Sequence, residues 1–119
     1  MAKYIKNKDF LNLLIEYQET KSKKVHNKLG ECFLLISRNL LNKPKFINYT
    51  QDRKDEMISD AVFYMCRYID KFDTTKTNPF AYFTTIAVNA FLQYINSQNK
   101  RAKMFTSIEY IENVEDLNI

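Results

Sequence analysis

Residues 52–96, DRKDEMISDAVFYMCRYIDKFDTTKTNPFAYFTTIAVNAFLQYIN, decide the fold. In the first half Ile58, Ala61, Val62, Met65, Ile69 and Phe72 recur at steps of three and four. That spacing puts them on one helix face and predicts that they enter a core. The opposite face carries Glu56, Ser59, Asp60, Phe63 and Arg67. A Phe among charges fits two descriptions, a solvated face with one stray aromatic or a surface that a protein partner covers. Asp73 to Asn78 are six polar residues ahead of Pro79. Asn78 suits the cap of a second helix, and Pro79 its first position, where a missing N–H costs nothing. This helix runs through Phe80, Tyr82, Phe83, Ile86, Ala87, Ala90, Phe91, Tyr94 and Ile95, too many of them aromatic for one buried stripe.

The chain on either side reads as support for this hairpin. Upstream, Phe10, Leu11, Leu13, Leu14, Ile15 and Tyr17 predict a first helix from about Lys8 to Thr20. KSKKVHNK, residues 21–28, reads as a solvated linker, with phosphate contact as the alternative. From about Val25 to Asn42, Leu29, Cys32, Phe33, Ile36, Leu40 and Leu41 fall at helical spacing. Leu34 and Leu35 widen the apolar girth, which suits a central helix. Gly30 inside it costs about 1 kcal/mol relative to Ala, which suggests close packing against a neighbour. Pro44 ends the helix, and Phe46, Ile47 and Tyr49 in the following loop are expected to fold back over the core. Thr50 or Asp52 then caps the next helix, with Asp55 and Glu56 in its first turn.

Downstream, residues 96–103, NSQNKRAK, cluster Lys100, Arg101 and Lys103. The cluster fits both compensation of the helix dipole and contact with a DNA backbone. Residues 107–119 alternate acids with Ile108, Tyr110, Ile111, Val114, Leu117 and Ile119. They read as a short docked helix, a disordered end or a docking peptide. The domain division is therefore 1–106 for the helical body and 107–119 for the tail.

The chain has 119 residues, one Gly and two Pro, which suits one all-α domain and lacks the turn punctuation of an all-β fold. Residues 1–106 hold eighteen bases against ten acids, because the tail holds four acids and no Lys or Arg. A basic body suits a polyanionic partner. Cys32, Cys66 and the lone His26 show no metal-ligand spacing, so no metal and no cofactor are expected, and the thiols read as reduced core residues. Without a signal peptide or an apolar run near twenty residues, neither secretion nor membrane insertion is expected. The setting expected is cytoplasmic. No Gly-rich phosphate loop, nucleophile elbow or Walker pattern is present, so an enzyme is not expected.

Glu56 to Lys103 resembles region two of bacterial sigma factors, the promoter-reading subunit of RNA polymerase. The resemblance rests on DKFD at Asp70–Asp73, six residues to Phe80, and the run FAYFTTIAVNAF. The longer stretch from YTQ at Tyr49 to NAF at Phe91 is similar to late-transcription sigma factors of T-even-type phages, which share YTQ, KxEMI, the Phe-Asp junction, NPxAY and NAF. The resemblance implies a compact all-α bundle of four main helices in the cytoplasm of a bacterial host. It implies a factor that binds core RNA polymerase and recognises or stabilises a melted AT-rich minus-ten-type element for phage late genes.

The same resemblance implies that Phe72, Phe80 and Phe83 hold an adenine flipped from the non-template strand. Ala81, Tyr82 and Thr85 fall on neighbouring positions that line the strand, and Asn89, Ala90 and Gln93 fall where the family reads or supports the upstream edge as duplex; Asn78, Ile86, Lys100, Arg101 and Lys103 complete the expected DNA-binding set. A base out of the stack needs an aromatic surface worth about 1–3 kcal/mol. Burial in a core is the alternative for these rings. Glu56, Ser59, Asp60, Phe63 and Arg67 match where the family grips the clamp helices of the polymerase largest subunit. Two departures stand out. Ile86 and Ala87 replace the family's paired tryptophans, and Ala90 replaces a duplex-reading Gln. The phage factors lack region four and use a co-activator and a sliding clamp, the latter docked through the C-terminal end, which points to the tail here. Two alternatives remain, a polymerase-binding helical adaptor without promoter reading and a DNA-independent structural protein.

Overall fold

A computed structural model describes the backbone of residues 6–109 and the side chains of residues 6–100. The described residues form four helices and no strand, an all-α fold. They are α1 (Asn7–Thr20), α2 (Lys23–Leu41), α3 (Gln51–Arg67) and α4 (Pro79–Glu109). Residues 110–119, most of the acidic tail, lie outside the described residues.

Each helix contributes one stripe to a single core. Phe10 and Leu14 come from α1, Leu29, Phe33 and Ile36 from α2, Met57, Ala61 and Met65 from α3, and Phe83, Ala87 and Phe91 from α4. Completely burying one such Phe or Leu stabilises by about 1.5–3 kcal/mol. The α3–α4 hairpin is the most extensive helix pair, α2 packs along α3, and α1 closes the bundle over α2 and α4. Ser37 is the buried polar side chain of this core, and its hydroxyl donates to the Phe33 carbonyl at 2.9 Å.

Several expectations need correction. The helix predicted to run to Phe72 stops at Arg67, and Tyr68–Phe72 turn instead. The Gln18 side-chain amide explains the stop, donating to the carbonyls of Ile69 (2.8 Å) and Phe72 (3.0 Å). The inward stripe of α3 is Met57, Ala61 and Met65, whereas Ile58 and Val62 are half-buried. The predicted linker shrinks to Lys21 and Ser22, because α2 starts at Lys23 so that Val25 and Leu29 can enter the core. Lys23, Lys24 and Lys28 then occupy its exposed face. Lys21 adopts the left-handed conformation (φ 55°) that closes α1, with its N–H donating to the Tyr17 carbonyl.

A Cβ built on Gly30 would meet nothing within 4 Å, so no close approach explains that glycine. Of the α2–α3 loop, Phe46 is buried and Tyr49 half-buried, but Ile47 stays exposed. Thr50, not Asp52, caps α3, its hydroxyl accepting from the Arg53 N–H at 3.3 Å. Cys32 is buried and Cys66 half-buried, both free thiols, and burial pushes Cys32 up to about 11. Among the described residues no helix is long and apolar enough to cross a membrane.

Candidate nucleic-acid strip and protein-docking ridge

The start of α4 is held by two asparagines. Asn78 Oδ1 accepts from the Ala81 N–H at 3.1 Å, as expected of the cap, and Asn7 Oδ1 of α1 accepts from the Phe80 N–H at 3.0 Å. Pro79 has no N–H to offer. These first-turn donors are engaged within the protein, so this end of α4 does not present them to a phosphate. Asn78, expected on the strand path, is exposed, but its side chain serves as this cap.

The approach to α4 is fixed from α1 as well. Besides the Gln18 bonds, Lys21 pairs with Asp70. Asp73 Oδ1 accepts from the Thr75 N–H (2.9 Å) and hydroxyl (2.7 Å). Those hydrogen bonds hold the Asp73 carboxyl below its ordinary range. The Lys71 ammonium lies 5.0 Å from the centre of the Tyr68 ring.

The aromatic cluster divides by burial. Phe83 is 0% exposed, with ring centres of Phe10 at 5.5 Å, Phe33 at 5.0 Å, Phe72 at 5.8 Å and Tyr82 at 5.0 Å. Phe72 is 4% exposed and meets Tyr82 edge-on at 5.1 Å. The expectation that Phe72 and Phe83 line a base pocket is therefore corrected. Both rings are core in this structure: Phe10 of α1 and Phe33 of α2 pack against Phe83, and Phe72 packs against Tyr82 and Phe83 of α4. Phe80 remains 38% exposed and Tyr82 half-buried, so these two are the ones a stacking base can reach. Burial first, then the neighbouring Tyr68, raises the Tyr82 hydroxyl above its ordinary pKa.

Along α4, Tyr82, Ile86, Asn89 and Gln93 follow one another at helical spacing, as do Ala81, Thr85 and Asn89. All are exposed or half-buried and form one outer strip. Thr85 turns its hydroxyl back to the Ala81 carbonyl at 2.9 Å. Of the two residues at the tryptophan positions, Ile86 reaches the surface and Ala87 is 0% exposed. Lys100 is exposed; the side chains of Arg101 and Lys103 lie outside the described residues.

Glu56, Ser59, Asp60, Phe63 and Arg67 all stand exposed on α3. Phe63 is 58% exposed, with the Arg67 guanidinium 5.6 Å above its ring centre and Tyr64 edge-on at 5.5 Å. Between this ridge and α4 the Tyr94 hydroxyl donates to Glu56 Oε1 at 2.9 Å. Partial burial, then the charge of Glu56, raises the Asp60 carboxyl above its ordinary pKa.

Asn7, Gln18 and Tyr94 position these surfaces, and sequence reasoning did not single them out for it. Their partners lie 73, 51 to 54 and 38 residues away, beyond the reach of any local pattern. Among the described residues no three His, Cys, Asp or Glu side chains gather as a metal site. No protein-family model matches this chain, and no curated protein matches it.

Proposed function

We propose that the chain is a sigma-like transcription initiation factor, binding core RNA polymerase through the α3 ridge and an opened AT-rich promoter strand along the outer side of α4. The observation that supports this reading is the division of the hairpin surface into two accessible parts of different chemistry. The α3 ridge combines carboxylates with an exposed Phe63, a composition suited to a protein partner. The α4 strip starts with two reachable rings, Phe80 and Tyr82, and continues through polar Thr85, Asn89 and Gln93 toward Lys100. Stacking platforms followed by polar and basic side chains suit single-stranded nucleic acid. The partners are core polymerase, through its clamp helices, and the non-template promoter strand; phage late genes are the setting.

A second reading is favoured by the burial of Phe72 and Phe83: a polymerase-binding adaptor that does not read promoters. Run-off transcription with core polymerase on phage late promoters and on pre-opened templates separates the two. Initiation that requires this chain is expected on both templates, and falls with Phe80→Ala by about one lost stack, 1–3 kcal/mol. Tight core binding with no template preference gives the adaptor reading, and absence of core binding removes both.

A further inference from the structure

Three lysines have no part in the fold or in the two surfaces described above. Lys23, Lys24 and Lys28 lie exposed on α2, and the stretch from Lys23 to Lys28 holds no acid. Lys23 and Lys24 stand in the first turn of the helix, where the backbone dipole disfavours cations, so their charge does not stabilise α2. Among the described residues none of the three has an ion-pair partner. Lys21, their neighbour in sequence, does pair, and its partner is Asp70 of the α3–α4 connection.

That ion pair places the start of α2 beside the ring end of the nucleic-acid strip. Gln18 ties the same corner to the carbonyls of Ile69 and Phe72, and Phe72 meets Tyr82. Between Ile69 and Phe72 stands Lys71, exposed, with its ammonium 5.0 Å from the centre of the Tyr68 ring. Tyr68 in turn acts on the Tyr82 hydroxyl, so Lys71 leads directly to a ring of the strip. The acids of the connection are already answered, Asp70 by Lys21 and Asp73 by Thr75 and the charge of Lys76. Lys71 and the three lysines of α2 therefore leave this corner with an excess of positive charge.

A strand stacked on Phe80 and Tyr82 brings its phosphates here. The N–H groups of Phe80 and Ala81 are occupied by Asn7 and Asn78, so the start of α4 offers no backbone donors to them. Lys100 lies about 30 Å further along α4, too far to serve this end. We infer that Lys71, Lys23, Lys24 and Lys28 form a phosphate track that carries the strand beyond the rings, away from Asn89, onto the α1–α2 corner. Resting on the function proposed above, the track gives the strip a second end. Each lysine acts on the backbone as a point charge, so the track holds the strand without reading its bases.

The test uses the full chain with core polymerase on a pre-opened promoter. A variant carrying Lys23→Gln, Lys24→Gln and Lys28→Gln is compared with one carrying Arg at the same three positions, and retention is followed against salt. Each phosphate contact on a single strand adds about 0.7 to the slope of log affinity against log salt. The Gln variant is expected to lower that slope by about 1–2 and retention by about tenfold at moderate salt, and the Arg variant to match the wild type. Ending the non-template strand just past the bases held by the rings is expected to abolish the difference between the Gln variant and the wild type. The unfolding midpoint of the Gln variant is expected to be equal or higher, since its lysines oppose the helix dipole. An unchanged salt slope, a defect that survives on the shortened strand, or a midpoint low enough to account for the loss overturns the track. If Phe80→Ala still lowers retention in that event, the proposed function stands without the track; if it is silent too, the function falls with it.

Discussion

Phe83 and Phe63 are the same side chain on the two arms of one hairpin, and their surroundings make them opposites. Phe83 is enclosed by four rings, two of which, Phe10 and Phe33, arrive from α1 and α2. Phe63 has Tyr64 beside it and Arg67 above it, both from its own helix, and is otherwise open. What separates a core ring from a contact ring here is supply from elsewhere in the chain. The α4 side of the hairpin is closed by the N-terminal helices, and the outer side of α3 is left unpartnered among the described residues.

The comparison is broken most forcefully at Phe83. Phe83→Ala leaves a cavity among rings that cannot all close on it, and a loss of about 3–5 kcal/mol in unfolding free energy is expected. Thermal or denaturant unfolding checks this, and a loss below about 1 kcal/mol would mean that the ring is not core. Phe63→Ala tests the other half. Stability is expected to move within about 0.5 kcal/mol, as for surface sites, while core polymerase affinity falls by about 2 kcal/mol. Unchanged affinity of a folded variant removes the ridge from the docking surface.

Gly30 sharpens the contrast between crowded and open positions. It is helical with no neighbour at its Cβ position, so Gly30→Ala is expected to stabilise by about 0.4–1 kcal/mol, read as a higher unfolding midpoint. A destabilised variant would place a neighbour there. The smallest effect concerns Asp60, whose carboxyl is raised by burial and by Glu56. The folded state then holds the proton more tightly than the unfolded chain, so this group's contribution to stability falls as pH rises from the ordinary Asp value through the raised one. Asp60→Asn should flatten the stability profile in that acid range. An unaltered profile would show that the carboxyl titrates alike in both states.

The four helices were legible because their apolar residues keep helical period and because Pro44, Asn78 and Pro79 punctuate the chain. The end of α3 was not, since no Gly or Pro marks it and the stop is supplied by Gln18. The start of α2 was hidden by its lysines, which resemble a linker until Val25 is seen to be buried. The α3 ridge was placed correctly on the surface, residue by residue, because one helix determines its own outward face. The aromatic cluster was not, because whether Phe83 faces a ligand or a core depends on Phe10 and Phe33, which no pattern within residues 52–96 contains.

The bonds from Asn7 and Gln18 to the α3–α4 connection also set an order of events at the ribosome. Helix α1 is tied to residues 51 to 73 positions later, which at about 5–20 residues per second takes roughly 3–15 s to synthesise. During that interval Phe10 and Leu14 have α2 for company but neither Phe83 nor Phe91, so the nascent chain carries an apolar stripe that a chaperone can hold. Closure of α1 over the core waits for the second arm of the hairpin, which supplies Phe83 and Phe91.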